Sequence, residues 1–349
     1  MATFTQLATG RWRAQVRKGG LYKGATFDLK RDAQAWARQI EVQASHIIAT
    51  GYQPVPDRYT VADLIDAYGT AVTIAGKTKA ATHAMLKREL GSIRLKRLNN
   101  VHLRDFIDQR LAAGAGGVTI AADLSFLGAI LKWGKHSRQM DLPTHITTDA
   151  RRDLAARNVP TRSAEREREP TPAELEKLFT LWRDNKRQKI PMATICAFAM
   201  ATTLRQNEIC SILVEDVDAV KRTLIVRDRK HPQKKIGNHQ TIPLLPDAWA
   251  IIEPILGQRS TGRVFPYDSA SVSTAFTRAC TKLEIVDLRF HDLRHKATSD
   301  LFRVGLTIPQ VAVLTGHRTW TQLKRYTHTN AGDVHAALSS LTKAKAAQA

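Results

Sequence analysis

Residues 151–170 divide this chain. They run from Arg151 to Pro170 through Glu-Arg-Glu-Arg-Glu and hold almost no large apolar side chains. Such a segment cannot bury enough surface to offset the entropy of ordering it. It closes at Thr171-Pro172-Ala173-Glu174, which puts an N-cap threonine, a proline in the first helical position and a glutamate in the third. A linker followed by so strong a helix start means separate domains, and 349 residues would hold two or three at roughly 100–200 each. Gly51 to Arg58, with Pro54, Pro56 and Asp57, reads as a second linker. The expected division is 1–50, 58–154 and 170–349.

The first segment reads as a small sheet packed on one helix. Arg11 to Lys18 alternates, with Trp12, Ala14 and Val16 on one face and Arg11, Arg13, Gln15 and Arg17 on the other. Gly19-Gly20 is a hairpin signal, and Leu21 to Leu29 supplies one or two further short strands. Asp32 to Ile48 is helical, with Ala33, Trp36, Ala37 and Ile40 on one stripe. The second segment is all helical, with four or five helices including Ala80–Leu90, Val101–Ala113 and Val118–Lys135. Its start, Thr60-Val-Ala-Asp63, has capping-box spacing. In the third, a buried helix over Ile190–Thr202 runs into Thr203-Leu204-Arg205. Strands are expected at Thr223–Arg227 and Gln240–Pro243, joined by a long basic turn. Asp292–Val304 is helical and ends at Gly305. A further helix starts at Thr307-Ile-Pro-Gln310, and another near Trp320 behind Thr319-Trp-Thr-Gln322.

Charge narrows the partner. The chain carries 53 Lys and Arg against 32 Asp and Glu, a formal charge of +21. The excess sits in blocks at 1–40, 77–110 and 221–240, one in each expected domain, as if a long polyanion were touched by several modules. Arg11, Arg13 and Arg17 on the outer sheet face, and Lys234 and Lys235 in the basic turn, are candidate DNA contacts, set against the plainer reading of solvated surface charge. Three cysteines without CxxC spacing fit a reducing cytosol rather than a disulfide framework or a cysteine zinc site. The longest apolar run, Ile190 to Leu204, is too short and mixed to span a bilayer, and Met1 to Arg13 lacks the apolar core of a secretory signal. A cytoplasmic DNA-binding protein is expected, with no membrane partner.

Chemistry-bearing residues of the third domain come in a fixed order: Arg205 with Glu208, Lys230 in the basic turn, Phe290-His291-Asp292-Leu293-Arg294, Gly316-His317, and Arg325-Tyr326-Thr327-His328. Their order and spacing resemble the tyrosine recombinases, the phage-type integrases. Arg205 and Glu208 match the first-arginine box, where Thr203 stands in place of the family's usual glycine. Lys230 matches the hairpin lysine, although Arg229, Lys234 and Lys235 compete for that place. His291 and Arg294 match the His-x-x-Arg box, and His317 follows glycine as in the family. Tyr326 lies nine residues after His317, the usual separation. The resemblance implies an arm-type N-terminal domain of small sheet plus helix, an all-α core-binding domain, and a mainly α catalytic domain with a small antiparallel sheet. The stripe of Val334, Leu338 and Leu341 reads as a tail helix over Asp333–Leu341, which packs on its own domain or, as the resemblance implies, docks on a neighbouring subunit.

The activity implied is site-specific strand exchange through a covalent 3′-phosphotyrosyl intermediate, within a homotetramer on double-stranded attachment sites. DNA-bending accessory proteins are candidate partners. Elementary chemistry suits these roles. Arginine forks stay charged and bind the non-bridging phosphate oxygens bidentately. A phenol ordinarily titrates near 10, so Tyr326 needs a proton acceptor, for which His291, alone or with His317, is the candidate. Lys230 would protonate the leaving 5′-oxygen, and Glu208 is a supporting partner. No cofactor or metal is called for; His291 and His295 are four apart, but Asp-Leu-Arg between them is not the HExxH pattern. A type IB-like topoisomerase and a DNA-binding repressor with a decayed site are the competing functions.

Overall fold

The structure is a computed structural model that describes residues 1–73, 76–185, 187–230, 237–257 and 259–326. The chain forms two compact units, Met1–Glu165 and Arg166–Ala349.

The first unit holds two cores. Strands β1 (Ala2–Gln6), β2 (Trp12–Lys18) and β3 (Leu21–Phe27) make an antiparallel sheet in that order, covered by α1 (Lys30–Thr50). Ala14 and Val16 are fully buried and Arg13 and Arg17 exposed, as the alternation of β2 requires. Val16, Ala37 and Ile40 form the small core. Gly19 and Gly20 both take positive φ in the β2–β3 turn, the geometry of a tight hairpin. The third strand comes from Ala2–Gln6, ahead of the hairpin, and not from the residues after it. One large apolar side chain, Phe4, is too little to make that alternation legible.

A helical bundle follows: α2 (Val61–Ala71), α3 (Lys77–Leu90), α4 (Asn100–Ala112), α5 (Gly117–Ser137) and α6 (Ile146–Ala156). The box at the head of α2 forms in both directions, with Thr60 Oγ1 accepting from the Asp63 N–H and Asp63 accepting from that of Thr60. By length and composition α5 could cross a membrane, but Ile120, Leu124, Leu127, Ile130 and Leu131 are fully buried in the bundle core. Residues 151–156, read as linker, continue α6, because Leu154 fills the last place on its apolar face.

The second unit is built around α8 (Met192–Thr202), whose Ile195, Cys196 and Phe198 are fully buried. Before it comes α7 (Pro172–Asp184), opened by the reciprocal box of Thr171 and Glu174. After it come α9 (Gln206–Ile209), the antiparallel sheet β4 (Val217–Asp218), β5 (Thr223–Val226) and β6 (Gln240–Pro243), then α10 (Pro246–Leu256) and α11 (Ser269–Lys282). The unit continues with α12 (Phe290–Arg303), α13 (Ile308–Thr315) and α14 (Trp320–Leu323). Helices α7, α10, α11 and α12 all pack on α8. The expected capping box at Thr319 does not form with side chains. Only the backbone of Thr319 accepts from Gln322, and α14 tightens after one turn into a 3-10 turn over Lys324–Tyr326. The tail segment Asp333–Leu341 lies outside the described residues.

Candidate active site

The end of α8 sets the geometry. Its last carbonyls meet Thr203 in the left-handed region, φ 55 and ψ 14. A β-branched residue adopts that conformation at a cost, and glycine would not. The turn brings Arg205 to the head of α9. There Glu208 accepts from the Arg205 backbone N–H at 2.9 Å and from its Nη1 at 2.8 Å. The other face of Glu208 meets Arg229, in the segment after β5, whose Nε is 3.5 Å from Oε1.

Arg229 is the largest fully buried side chain in the protein's described residues, 1% exposed. It donates to Gln240 on β6 at 3.0 Å and to the Leu314 carbonyl at the end of α13 at 2.8 Å. Gly316 closes that helix at φ 68, and a Cβ there would stand 2.3 Å from the Arg229 guanidinium carbon. Burial would raise the Glu208 carboxyl, but the charges of Arg229 and Arg205 prevail and hold it below its ordinary value. Burial lowers Arg229 in turn, with Glu208 opposing.

Arg294, in the first turns of α12, is 3% exposed. The sequence places it at the edge of the apolar stripe, clear of burial. In the fold it is buried, since it ties two chain ends together: Nη1 donates to the Thr203 carbonyl and Nη2 to the Thr315 carbonyl at 2.7 Å. Burial, then Arg205, pushes it down to about 9, still charged at neutral pH.

His317 lies beside it. Thr315 Oγ1 donates to Val311 and so accepts from His317 Nδ1 at 2.9 Å. That leaves Nε2 as the acceptor facing Arg294 Nη2, 3.4 Å away. Burial and then the surrounding arginines hold His317 down to about 3. His291 is exposed at its outer edge. Desolvation of its packed side, then Arg294 and Arg205, lowers it below the usual imidazole value.

Tyr326 ends this assembly. Its ring stacks on His295 at 5.8 Å and 30°, with His317 6.4 Å away. Its Oη is hydrogen-bonded to His295 Nδ1, and Arg325 Nη2 donates to Oη at 2.9 Å. His295 is 5% exposed and abuts His291 edge to face, centroids 4.9 Å apart. Burial and then Arg325 bring it down to about 4. The next carboxylate, Asp292, is fully buried, and Arg166 of the linker grips it through Nε at 2.7 Å and Nη2 at 2.6 Å. Among the described residues no three His, Cys, Asp or Glu side chains gather to hold a metal ion.

Arg205, Glu208, His291, Arg294, His317 and Tyr326 thus share one site. Lys230 follows Arg229 directly and is exposed at the mouth of the basic turn. Lys234 and Lys235 lie outside the described residues. In the first unit Arg17 lies over the Tyr22 ring and Arg11 pairs with Asp28 at 2.8 Å. Sequence reasoning missed His295, Arg325, Arg166 and the anchoring role of Arg229. The signal for His295 was present, since i and i+4 on one helix share a face with His291. Arg166 and Arg229 gave none, because their partners are distant in sequence.

The site as a whole can hold an oxyanion against Arg205 and Arg294, next to a hydroxyl. Residues 170–332 match the model of the phage integrase family. A Haemophilus influenzae protein named as an integrase/recombinase is 28% identical over 323 residues, 88% of this chain and 82% of the relative. The Escherichia coli shufflon-specific DNA recombinase is 32% identical over 170 residues, 48% of this chain and 42% of the relative. Among solved structures, a lambda integrase tetramer bound to a Holliday junction has the same fold, with TM-score 0.58 at 16% identity over 94% of this chain and 97% of that one.

Proposed function

Because the chain belongs, through residues 170–332, to the phage integrase family of DNA recombinases, we propose that it is a site-specific recombinase that cleaves and rejoins DNA at Tyr326, moving a mobile element into or out of a genome. The observation that carries this is the clustering of Arg294 with His317, 3.4 Å apart, beside the Tyr326 ring, 6.4 Å from that of His317, with Arg205 close enough to add to the lowering that burial imposes on Arg294. The guanidiniums neutralise the two non-bridging oxygens of a phosphodiester. Tyr326 Oη attacks the phosphorus, leaving a 3′-phosphotyrosyl bond that conserves the energy of the broken link for rejoining. Lys230 supplies the proton to the departing 5′-oxygen. His291, held neutral, flanks the phosphate as a hydrogen-bonding partner, while His317 Nε2 accepts from Arg294 and orients it. Assembly as a tetramer on double-stranded DNA is read from the lambda integrase neighbour, with Arg13 and Arg17 on the exposed sheet face as further phosphate contacts.

The test uses nicked duplexes selected from a random-sequence pool by binding to the full chain. Wild type should leave a covalent protein–DNA adduct that survives denaturation, and Tyr326→Phe should leave none. An equal adduct from Tyr326→Phe would remove Tyr326 as nucleophile. Relaxation of supercoiled DNA of any sequence, without strand exchange, would favour a topoisomerase.

A further inference from the structure

Arg325 and His295 both meet the Tyr326 hydroxyl. Arg325 Nη2 lies 2.9 Å from Oη and sits over the His295 ring, 3.1 Å from Nδ1 and 3.5 Å from Nε2, while Oη and Nδ1 are themselves hydrogen-bonded. A guanidinium only donates. The phenolic oxygen therefore accepts from Arg325. With the ring hydrogen of His295 on Nε2, Nδ1 accepts the phenolic hydrogen. Neither neighbouring imidazole offers this. His317 has Nδ1 on Thr315 and Nε2 on Arg294, and His291 lies edge-on behind His295.

We propose that His295 is a catalytic residue, the proton acceptor for Tyr326, taking the phenolic hydrogen at Nδ1 as Oη attacks the phosphorus. This rests on the reading of Tyr326 as nucleophile. In the cleavage step the bond from Oη to phosphorus forms and that from phosphorus to the 5′-oxygen breaks. The phenolic proton moves to His295, which becomes an imidazolium, and the 5′-oxygen takes its proton from Lys230. Rejoining runs the same transfers backward, with His295 returning the proton to Oη.

Arg325 steadies negative charge on Oη as the proton leaves. The groups facing the imidazole are Arg325 from the 3-10 turn, and His291, Asp292 and Arg294 from α12. Burial and these charges keep it neutral in the free protein, with its pKa at about 4, so the lone pair is available. Proton transfer becomes downhill only as Oη bonds to phosphorus, because the phenol's acidity rises steeply at that moment. The arriving phosphate adds a negative charge that offsets the surrounding arginines and strengthens the base.

The experiment uses the full chain and a selected duplex ending in a 3′-(p-nitrophenyl phosphate). Nitrophenolate departs without a proton, so release reports the nucleophile's side of the reaction and is blind to Lys230. His295→Ala and His295→Gln should both slow single-turnover release and adduct formation at neutral pH by on the order of 10²-fold or more. Both rates should then climb with hydroxide concentration, because the phenol must ionise unaided. Added imidazole should rescue His295→Ala. Glutamine keeps a hydrogen-bond acceptor but cannot carry the proton, so a His295→Gln rate close to wild type would overturn the proposal. A His295→Ala loss that imidazole leaves untouched, with the pH profile of wild type, would do the same. Tyr326→Phe separates the two readings. If it alone abolishes the adduct while both His295 variants match wild type, Tyr326 stands and His295 falls. If it forms the adduct, or wild type does not, both fall.

Discussion

Thr203 offers a test of stability reasoning at the heart of the site. It occupies the left-handed region at φ 55 and ψ 14 and is 1% exposed, and its Oγ1 is buried without a hydrogen-bond partner. A left-handed conformation costs an ordinary residue about 1–2 kcal/mol. An unsatisfied buried hydroxyl costs about 1–3 kcal/mol. Thr203→Gly removes both penalties. Against this stand about 0.5–1 kcal/mol of added backbone entropy in the unfolded chain and about 0.8 kcal/mol for the lost buried methyl. The variant should be more stable by about 2 kcal/mol, which for a unit of this size raises Tm by roughly 4–8 °C. Scanning calorimetry of the full chain reads this as an upward shift of one transition, the one that Glu208→Gln lowers. Thr203→Val keeps the branched side chain in the strained turn and removes only the hydroxyl, so it should recover only that part. The Thr203 carbonyl stays in place under Arg294, and adduct formation should stay near wild type. An unchanged or lower Tm for Thr203→Gly would refute the account of this turn as strained.

Glu208→Gln leaves the buried Arg229 without its counter-charge and should destabilise the second unit by about 3–5 kcal/mol, read in urea melts. Gly316→Ala forces a Cβ onto the Arg229 guanidinium in a left-handed position; Tm should fall by more than for Gly305→Ala, where φ is 90 but a Cβ meets nothing within 4 Å. Arg294→Lys cannot span the Thr203 and Thr315 carbonyls and a phosphate together, and adduct formation should drop by about 10²–10³-fold. Two desolvated histidines set an acid limit. His295 and His317 have folded pKa values of about 4 and about 3, below the ordinary imidazole value of about 6.5. The unfolded chain therefore binds more protons across that interval. Stability is complete above pH ~6.5 and declines as pH falls toward 4. His317→Asn should flatten the decline in Tm measured over that range, and an unaltered slope would contradict it.

Much of this site can be read from the sequence because its elements announce themselves locally. Thr171-Pro172 and Gly305 mark helix ends by chemistry that acts within four residues, and the observed α7 and α12 obey them. The alternation of Trp12 to Lys18 gives the strand and its buried face. What stays hidden depends on distant partners. Arg294 looks like a half-exposed helix residue until the carbonyls of Thr203 and Thr315, from two other segments, close around it. Arg166 reads as linker charge, yet it locks the first turn of the helix that carries His291, Arg294 and His295. The Thr319 box fails because a chain that must deliver Tyr326 to His295 tightens into a 3-10 turn.

Arg229 has a mechanical consequence. One buried guanidinium bolts the segment after β5 to the last carbonyls of α13, so the segment leading to Lys230 and the turn leading to His317 and Tyr326 share a single tie rod. Neither arm can swing while the rod holds, and native-state hydrogen exchange should show residues 226–229 and 313–316 opening together. Separate opening would break the analogy. With the rod intact, Lys230 and Tyr326 are, on the roles proposed for them, geared to one another, and losing the grip on one loses the other, an all-or-none state rather than a dial.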